Sequence, residues 1–292
     1  MKNNIIVFLL LGLGAFSCNS TTNETNKHLK NAKDFLLQKN YVDGLKEVDI
    51  SINLDSSNYE SFFVKGKIKV DLELYEDAII LLKKVLSKNY KVDTVCYLLG
   101  QSYFELGQYY SFKKNDADKK NEYLNEAVTY HDKAINHNPG FFDVYIGKFK
   151  SLHNQNNFAE ALITINKALN LFPDSIELIS NRGIEKQFLG DKNEALKDLN
   201  FAIESKKLDS SNCATALRFR GRIYSEEGNF DQAIYDLTSA IQYDSKNAYL
   251  FSTRASFYRQ KGLQDLACKD YRKAAELGMI SIYETIKEYC DD

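Results

Sequence analysis

The sequence predicts an all-α fold built from repeated pairs of helices. Only 2 of the 292 residues are proline, so little in the sequence interrupts long helices. Small residues recur at steps of 34, 49, 34, 34, 38 and 34 residues. They are Gly44, Ala78, Ala127, Ala161, Ala195, Ala233 and Ala267. Because helix axes approach closely only where side chains are small, this spacing predicts seven units of one repeated structure.

The first residues have the layout of an export signal. Lys2 precedes an apolar run from Ile5 to Leu13, which is followed by small residues up to Cys18. The run is shorter than the roughly 20 apolar residues that a permanent membrane helix needs. We therefore expect residues 1–17 to be a signal peptide that is removed.

The segment Ala15-Phe16-Ser17-Cys18 resembles a bacterial lipobox, which implies that Cys18 is acylated and becomes the mature N-terminus. Several acyl chains would anchor the protein to a membrane without spanning it. The alternative is an ordinary secretory signal that happens to end near a cysteine. The resemblance also implies that Asn19 after the cysteine, with no acidic run behind it, favours an outer-membrane lipoprotein that faces the periplasm. Residues 18–26 are rich in Asn, Thr and Ser and predict a flexible tether.

Residues 27–278 carry the repeat. A second set of small residues lies in the first helix of six units: Ala32, Gly66, Gly100, Gly183, Gly221 and Ala255. Residues suited to the left-handed conformation that ends a helix predict the turn inside a unit: Gly107, Asn156, Gly190, Gly228 and Gly262. After the last unit, residues 279–292 place Ile282 and Ile286 on one helical face and predict a capping helix.

Several phrases of the sequence resemble the tetratricopeptide repeat. They include Asn181-Arg182-Gly183, Phe219-Arg220-Gly221 and the stretch from Ala267 to Gly278. The resemblance implies a right-handed α-solenoid of about seven helix pairs that binds other proteins. The 34-residue step disfavours Sel1-like and pentatricopeptide repeats, and a net charge of −2 gives no attraction for nucleic acid.

The third unit is 15 residues longer than the others, and the surplus lies within residues 110–124. This insertion either extends both helices of the unit or forms an exposed loop. It is either neutral or a contact for a partner.

Five cysteines show no metal-binding spacing. Cys268 and Cys290 are near enough along the chain to pair across neighbouring helices, although we favour buried free thiols for the cysteines beyond Cys18.

The resemblance also implies that the first helix of each unit lines a concave, ligand-binding surface. The residues at these positions are Phe63, Lys67, Tyr97, Gln101, Phe104, Lys150, His153, Gln187, Arg218, Arg222, Ser256 and Arg259. Arg218 and Arg222 stand four apart on one helical face, where like charges repel unless an anion offsets them. Together with Arg259 they would suit an acidic peptide or a chain terminus. The alternative is that Glu226 and nearby acids neutralise them.

Arginine and aspartate also recur at fixed repeat positions and predict a structural ladder between helices. The arginines are Arg182, Arg220 and Arg254, and the aspartates are Asp198, Asp236 and Asp270. Enzyme chemistry is disfavoured because the four histidines are dispersed and no nucleophile or phosphate-binding motif occurs. We expect a non-catalytic scaffold for protein partners of the cell envelope, without a cofactor or metal. The alternative is a receptor for acidic peptides or a substrate-delivery factor that uses the basic groove.

Overall fold

A computed structural model describes the backbone of residues 4–290 and the side chains of residues 21–290. Over these residues the regular elements are helices, and no strand is present. In this described part, fourteen helices follow one another along the chain, and a short C-terminal helix comes after them. The prediction of an all-α repeat fold is therefore confirmed.

The chain divides into two compact units, Met1–Gln155 and Asn156–Asp292. The first contains α1 (Asn4–Leu37), α2 (Tyr41–Leu54), α3 (Tyr59–Asp71), α4 (Tyr75–Leu86), α5 (Val92–Phe112), α6 (Ala117–His137) and α7 (Phe142–Asn154). The second contains α8 (Phe158–Leu171), α9 (Ile176–Phe188), α10 (Lys192–Glu204), α11 (Ser210–Glu226), α12 (Phe230–Tyr243), α13 (Ala248–Gln260), α14 (Gln264–Glu276) and α15 (Tyr283–Tyr289).

Local sequence explains where most helices begin and end. Asn40, Asp191 and Asn229 accept hydrogen bonds from backbone amides in the first turn of α2, α10 and α12. Glycines with positive φ end α9, α11 and α13, at Gly190, Gly228 and Gly262. A residue with a β-carbon is disfavoured in this conformation, so glycine is suited to these turns.

The recurrent small residues lie where helices pack. All six alanines of the first set are fully buried, and Gly44 is buried as well. A β-carbon added to Gly183 would lie 3.0 Å from the Cγ atom of Leu199. Larger side chains would therefore force the two helices of a pair apart, which is the physical reason for the repeated small positions.

The N-terminal tether prediction is wrong for the residues whose side chains are described. Residues 21–26 are helical as part of α1, and Thr25 is only 1% exposed. Its carbonyl oxygen accepts a hydrogen bond of 3.1 Å from the Ser51 hydroxyl of α2. The polar composition of this segment gave no indication that Thr25 is buried. The predicted signal peptide (1–17) and Cys18 lie outside the residues whose side chains are described.

The surplus of the third unit lengthens both of its helices, which is the first of the two predicted alternatives. Both α5 and α6 contain 21 residues. The prediction of a turn at Gly107 is wrong, because this glycine is buried inside α5. A β-carbon there would lie 3.1 Å from Leu124, so Gly107 allows close helix packing.

The C-terminal residues form a 3-10 turn and α15, which packs against α14 through the buried side chain of Ile286. A disulfide joins Cys268 to Cys290, with their Cα atoms 5.6 Å apart. The preference for free thiols is therefore wrong for this pair. Cys96 and Cys213 are buried free thiols, as expected. None of the described helices is both long and apolar enough to span a membrane.

Candidate interaction surfaces

Two arginines of α11 form a basic patch on the second unit. The guanidinium carbon of Arg218 lies 4.2 Å from the ring centroid of Phe219. Arg222 lies 5.5 Å from the ring of Phe188 on α9 and 5.7 Å from that of Phe219. Burial, and then the like charge of Arg222, lower the pKa of Arg218 to about 10. The two cations are thus held together on aromatic rings, at an electrostatic cost.

The alternative reading, in which Glu226 neutralises this patch, is wrong. Glu226 instead pairs with Lys192 of α10 at 2.9 Å. In the described part of the chain, neither Arg218 nor Arg222 has a carboxylate within the 4.0 Å of an ion pair. The positive charges of the patch are therefore not offset by an ion pair with any described carboxylate.

Arg259 of α13 is engaged at the C-terminal end of the second unit. Its guanidinium carbon lies 4.7 Å from the Tyr289 ring of α15, and it hydrogen-bonds to Tyr271. The structure therefore pairs Arg218 with Arg222 and gives Arg259 aromatic partners of its own.

The candidate residues of the first unit have different environments. Phe63 is buried, 5.9 Å from the Tyr90 ring, and belongs to the hydrophobic core instead of to an open surface. Tyr97 packs 5.0 Å from Phe141, and burial raises the pKa of its hydroxyl. Lys67 and Lys150 are exposed.

The remaining candidates are half-buried or buried. Gln101 and His153 are half-buried, and Phe104 packs against the core of the first unit. Gln187 of α9 is buried, and neither polar atom of its amide has a hydrogen-bond partner. Ser256 donates to the Thr253 carbonyl within α13, so its hydroxyl is already used.

The predicted arginine–aspartate ladder is confirmed. Each arginine donates two hydrogen bonds to one aspartate. The distances are 2.7 and 2.8 Å from Arg182 to Asp198, and 2.8 Å for both bonds from Arg220 to Asp236. They are 2.7 and 2.9 Å from Arg254 to Asp270. Each pair joins the two helices of one repeat.

Further bonds connect neighbouring repeats. Arg220 also donates to Asn200 of α10 at 2.9 Å, and Arg254 donates to Thr238 of α12 at 3.1 Å. Burial alone would raise the pKa of Asp198, but hydrogen bonds from Arg182 and Lys186 outweigh it and hold that pKa below its usual range. These groups hold the scaffold together and are not free to bind a ligand.

Sequence reasoning missed a buried histidine in the first unit. His131 is fully buried, and neither ring nitrogen has a hydrogen-bond partner. A β-carbon on Gly100 or Gly147 would approach its ring to 2.6 or 2.5 Å, so the imidazole fits between two glycines. Burial, and then the charge of Lys148, lower its pKa to about 3. The available signal was its position four residues after Ala127, where four of the six other units have leucine or isoleucine.

Comparison with known proteins supports the fold. No family model matches the chain. A solved tetratricopeptide repeat protein from Parabacteroides merdae superimposes with a TM-score of 0.72 at 18% identity, covering 92% of this chain and 98% of that one. MamA AMB-1 gives a TM-score of 0.51 at 19% identity over 63% of this chain and 91% of that one.

The curated relatives are much longer proteins. Tetratricopeptide repeat protein 6 of Homo sapiens is 32% identical over 123 residues, which is 42% of this chain and 22% of that protein. Superkiller complex protein 3 of Homo sapiens is 24% identical over 210 residues, or 70% of this chain, which spans 12% of that relative. The fold and the repeats define an all-α protein of stacked helix pairs. This fold is that of the solved tetratricopeptide repeat protein, as the sequence resemblance implied.

Proposed function

We propose that this protein is a non-catalytic scaffold or adaptor that binds protein partners of a bacterial cell envelope and is anchored there by a lipidated Cys18. The tetratricopeptide-repeat fold carries the first part of this proposal. A helix-pair array presents an extended surface along which partner proteins can bind. Among the described residues, no cluster of three or more His, Cys, Asp or Glu side chains is arranged to hold a metal ion.

Two observations support export and anchoring. The N-terminal signal layout ends at a cysteine in a lipobox-like segment. The Cys268–Cys290 disulfide suits an oxidising compartment, because such bonds persist there and are rare in reducing ones. We propose that the protein lies in the outer membrane and faces the periplasm, because Asn19 follows Cys18 and no acidic run comes after it.

Fractionation tests the anchor. Cys18→Ser should move the protein from the membrane fraction to the soluble fraction, whereas Cys213→Ser, which removes a buried thiol, should leave it on the membrane. If the Cys18 variant still pelleted with washed membranes, the lipid anchor would be refuted. Labelling with a radioactive fatty acid provides a second readout, since only a chain that retains Cys18 should incorporate it.

Cross-linking in native membranes tests the scaffold. Purification after cross-linking should return a stable neighbour in fixed stoichiometry. Recovery of the chain alone, under conditions that retain other envelope complexes, would contradict the proposal.

A second function is favoured by the arginine patch of α11, which would capture an acidic peptide or a chain terminus. Arg218 and Arg222 are half-buried and close together, and neither forms an ion pair with a carboxylate in the described part of the chain. A carboxylate placed between them would offset their repulsion and could accept two hydrogen bonds from either guanidinium group. Arg259 would extend this surface towards the C-terminus.

The two functions are separated by one double variant. If the patch binds the partner, Arg218→Ala with Arg222→Ala should abolish co-purification. Lys206→Ala with Lys207→Ala, which removes two exposed cations after α10, should leave it unchanged. A partner that survives loss of both arginines would favour a scaffold surface elsewhere on the array.

A further inference from the structure

The insertion in the third unit forms one wall of a cavity. Where α9, α11 and α13 end at glycines, α5 continues past Gly107 to Phe112. Its extended end, together with the turn between α3 and α4 and the start of α4, borders a cavity of about 630 Å³ that is open to solvent. This is within the size range of ligand pockets, and the cavity lies wholly within the first unit.

Aromatic rings form much of the cavity wall. Tyr75 comes from the start of α4, and Tyr109, Tyr110 and Phe112 come from the extension of α5. Tyr109 is 44% exposed and Phe112 is 69% exposed. Large exposed rings gathered on a concave surface are typical of a binding site, because each would be better shielded from water by a partner.

Carboxylates are grouped at the same cavity. Glu73, Glu76 and Glu105 line it, and Glu105 is half-buried. Burial and the neighbouring Glu73 raise the pKa of Glu105, with Lys150 partly offsetting them. Burial, and then Glu105 and Glu73, raise the pKa of Tyr75 to about 12. The inner part of the cavity is therefore electrically negative and would be stabilised by a cation.

Two lysines reduce this negative charge without removing it. Lys113 and Lys114 are exposed at the end of α5 and also line the cavity, so its lining carries three carboxylates and two ammonium groups, while Lys150 outside the lining partly offsets Glu105. The Lys114 nitrogen lies 5.9 Å from the Tyr109 ring centroid. This contact shows that the ring face is accessible to a cation.

We propose that this cavity binds an arginine side chain carried on an extended peptide segment of a partner protein. A planar guanidinium group can stack on aromatic rings while donating paired hydrogen bonds to carboxylates, so it matches both parts of the lining. The volume exceeds that of a single side chain and accommodates neighbouring residues of the peptide. The site is separate from the arginine patch of α11 and takes a ligand of opposite charge. This proposal rests on the proposed function only because it assumes that the partner is a protein.

Fluorescence anisotropy with the full chain in mild detergent tests this site. The probe is a labelled, end-blocked Gly/Ser octapeptide with one central arginine, compared with the same peptide containing citrulline, lysine or glutamate. We expect the arginine peptide to bind at least about 10-fold more tightly than the citrulline peptide, which is isosteric and uncharged. The glutamate peptide should bind more weakly than the arginine peptide.

Variants assign the binding to the cavity. Glu73→Gln with Glu105→Gln should weaken arginine-peptide binding at least about 10-fold, because both charges are removed at nearly constant shape. Phe112→Ala should weaken it about 2- to 5-fold through loss of the ring. Glu122→Gln, an exposed residue of α6 outside the cavity lining, is the matched control and should not change the affinity.

Three results would overturn the proposal: equal affinities for the arginine and citrulline peptides, tighter binding of the glutamate peptide, or no binding of the arginine peptide at millimolar concentration. Unchanged affinity in the double glutamine variant, with its helical circular dichroism intact, would equally exclude this cavity. These outcomes are independent of the scaffold proposal, which stands or falls on recovery of a cross-linked partner from membranes.

Discussion

Replacing the buried imidazole of His131 by leucine should stabilise the first unit. Leu82, Leu199 and Leu237 fill the corresponding position in other pairs, each four residues after the recurrent alanine. In His131 both ring nitrogens are buried without a hydrogen-bond partner, which costs about 1–3 kcal/mol. Leucine removes this cost, so His131→Leu should raise the free energy of unfolding by about 1–2 kcal/mol at pH 7.5, after allowance for imperfect packing against Gly100.

The same burial predicts a dependence on pH with a definite sign. In the unfolded chain a histidine titrates near pH 6.5, whereas burial lowers the pKa of His131 to about 3. Between these values the unfolded state binds the proton that the folded state excludes. Stability from this group is therefore present above pH 6.5 and is lost as the pH falls, at up to about 1.4 kcal/mol per pH unit. From pH 7.5 to pH 5.0 the loss amounts to about 2 kcal/mol.

Urea unfolding followed by far-ultraviolet circular dichroism at pH 7.5 and 5.0 measures both effects. The native protein should lose about 2 kcal/mol more than the His131→Leu variant over this interval. His137→Gln removes an exposed imidazole from the same helix and should behave as the native protein does. An equal loss in the native protein and in His131→Leu would refute the conclusion that the imidazole is held neutral by burial.

Three further predictions concern other parts of the fold. Asp236→Ala leaves the partly buried guanidinium group of Arg220 without its carboxylate and should destabilise the second unit by about 3–5 kcal/mol in urea unfolding. Cys290→Ser removes a disulfide that spans 22 residues and should cost about 3 kcal/mol locally, measured as faster amide hydrogen exchange in α14 and α15. Glu73→Gly should raise the free energy of unfolding by about 1 kcal/mol, because φ is +59° at this residue.

Each of these predictions has a control. Asp43→Ala breaks an exposed ion pair with Lys46 and should change stability by less than about 1 kcal/mol, and a similar cost for Asp236→Ala would contradict the importance of the ladder. Dithiothreitol should reproduce the exchange pattern of Cys290→Ser in the native protein and have no effect on the variant. Glu76→Gly lies inside α4 and should destabilise, so equal effects at Glu73 and Glu76 would refute the backbone argument.

The sequence by itself determined the repeated helix pairs. Their signal is local, since small residues must recur where helices touch and glycine must follow a helix that turns back. The ladder could be predicted for the same reason, because an arginine and an aspartate, such as Arg220 and Asp236, recur at the same repeat positions in successive units. The sequence predicted the arginine patch as like charges four residues apart, whereas only the tertiary structure shows that neither arginine pairs with a described carboxylate.

Tertiary structure decided what depends on contacts between distant residues. The sequence predicted that Thr25 belongs to a polar tether, but its carbonyl oxygen accepts a hydrogen bond from Ser51 of α2. It predicted a turn at Gly107, but this glycine lies against Leu124 inside α5. The Cys268–Cys290 bond required the path of the chain after α14. His131 is buried because its ring lies between Gly100 of α5 and Gly147 of α7. The cavity forms because the extended end of α5 lies beside the start of α4. Helical periodicity places a residue on a face, but only the packed neighbours determine whether that face is covered.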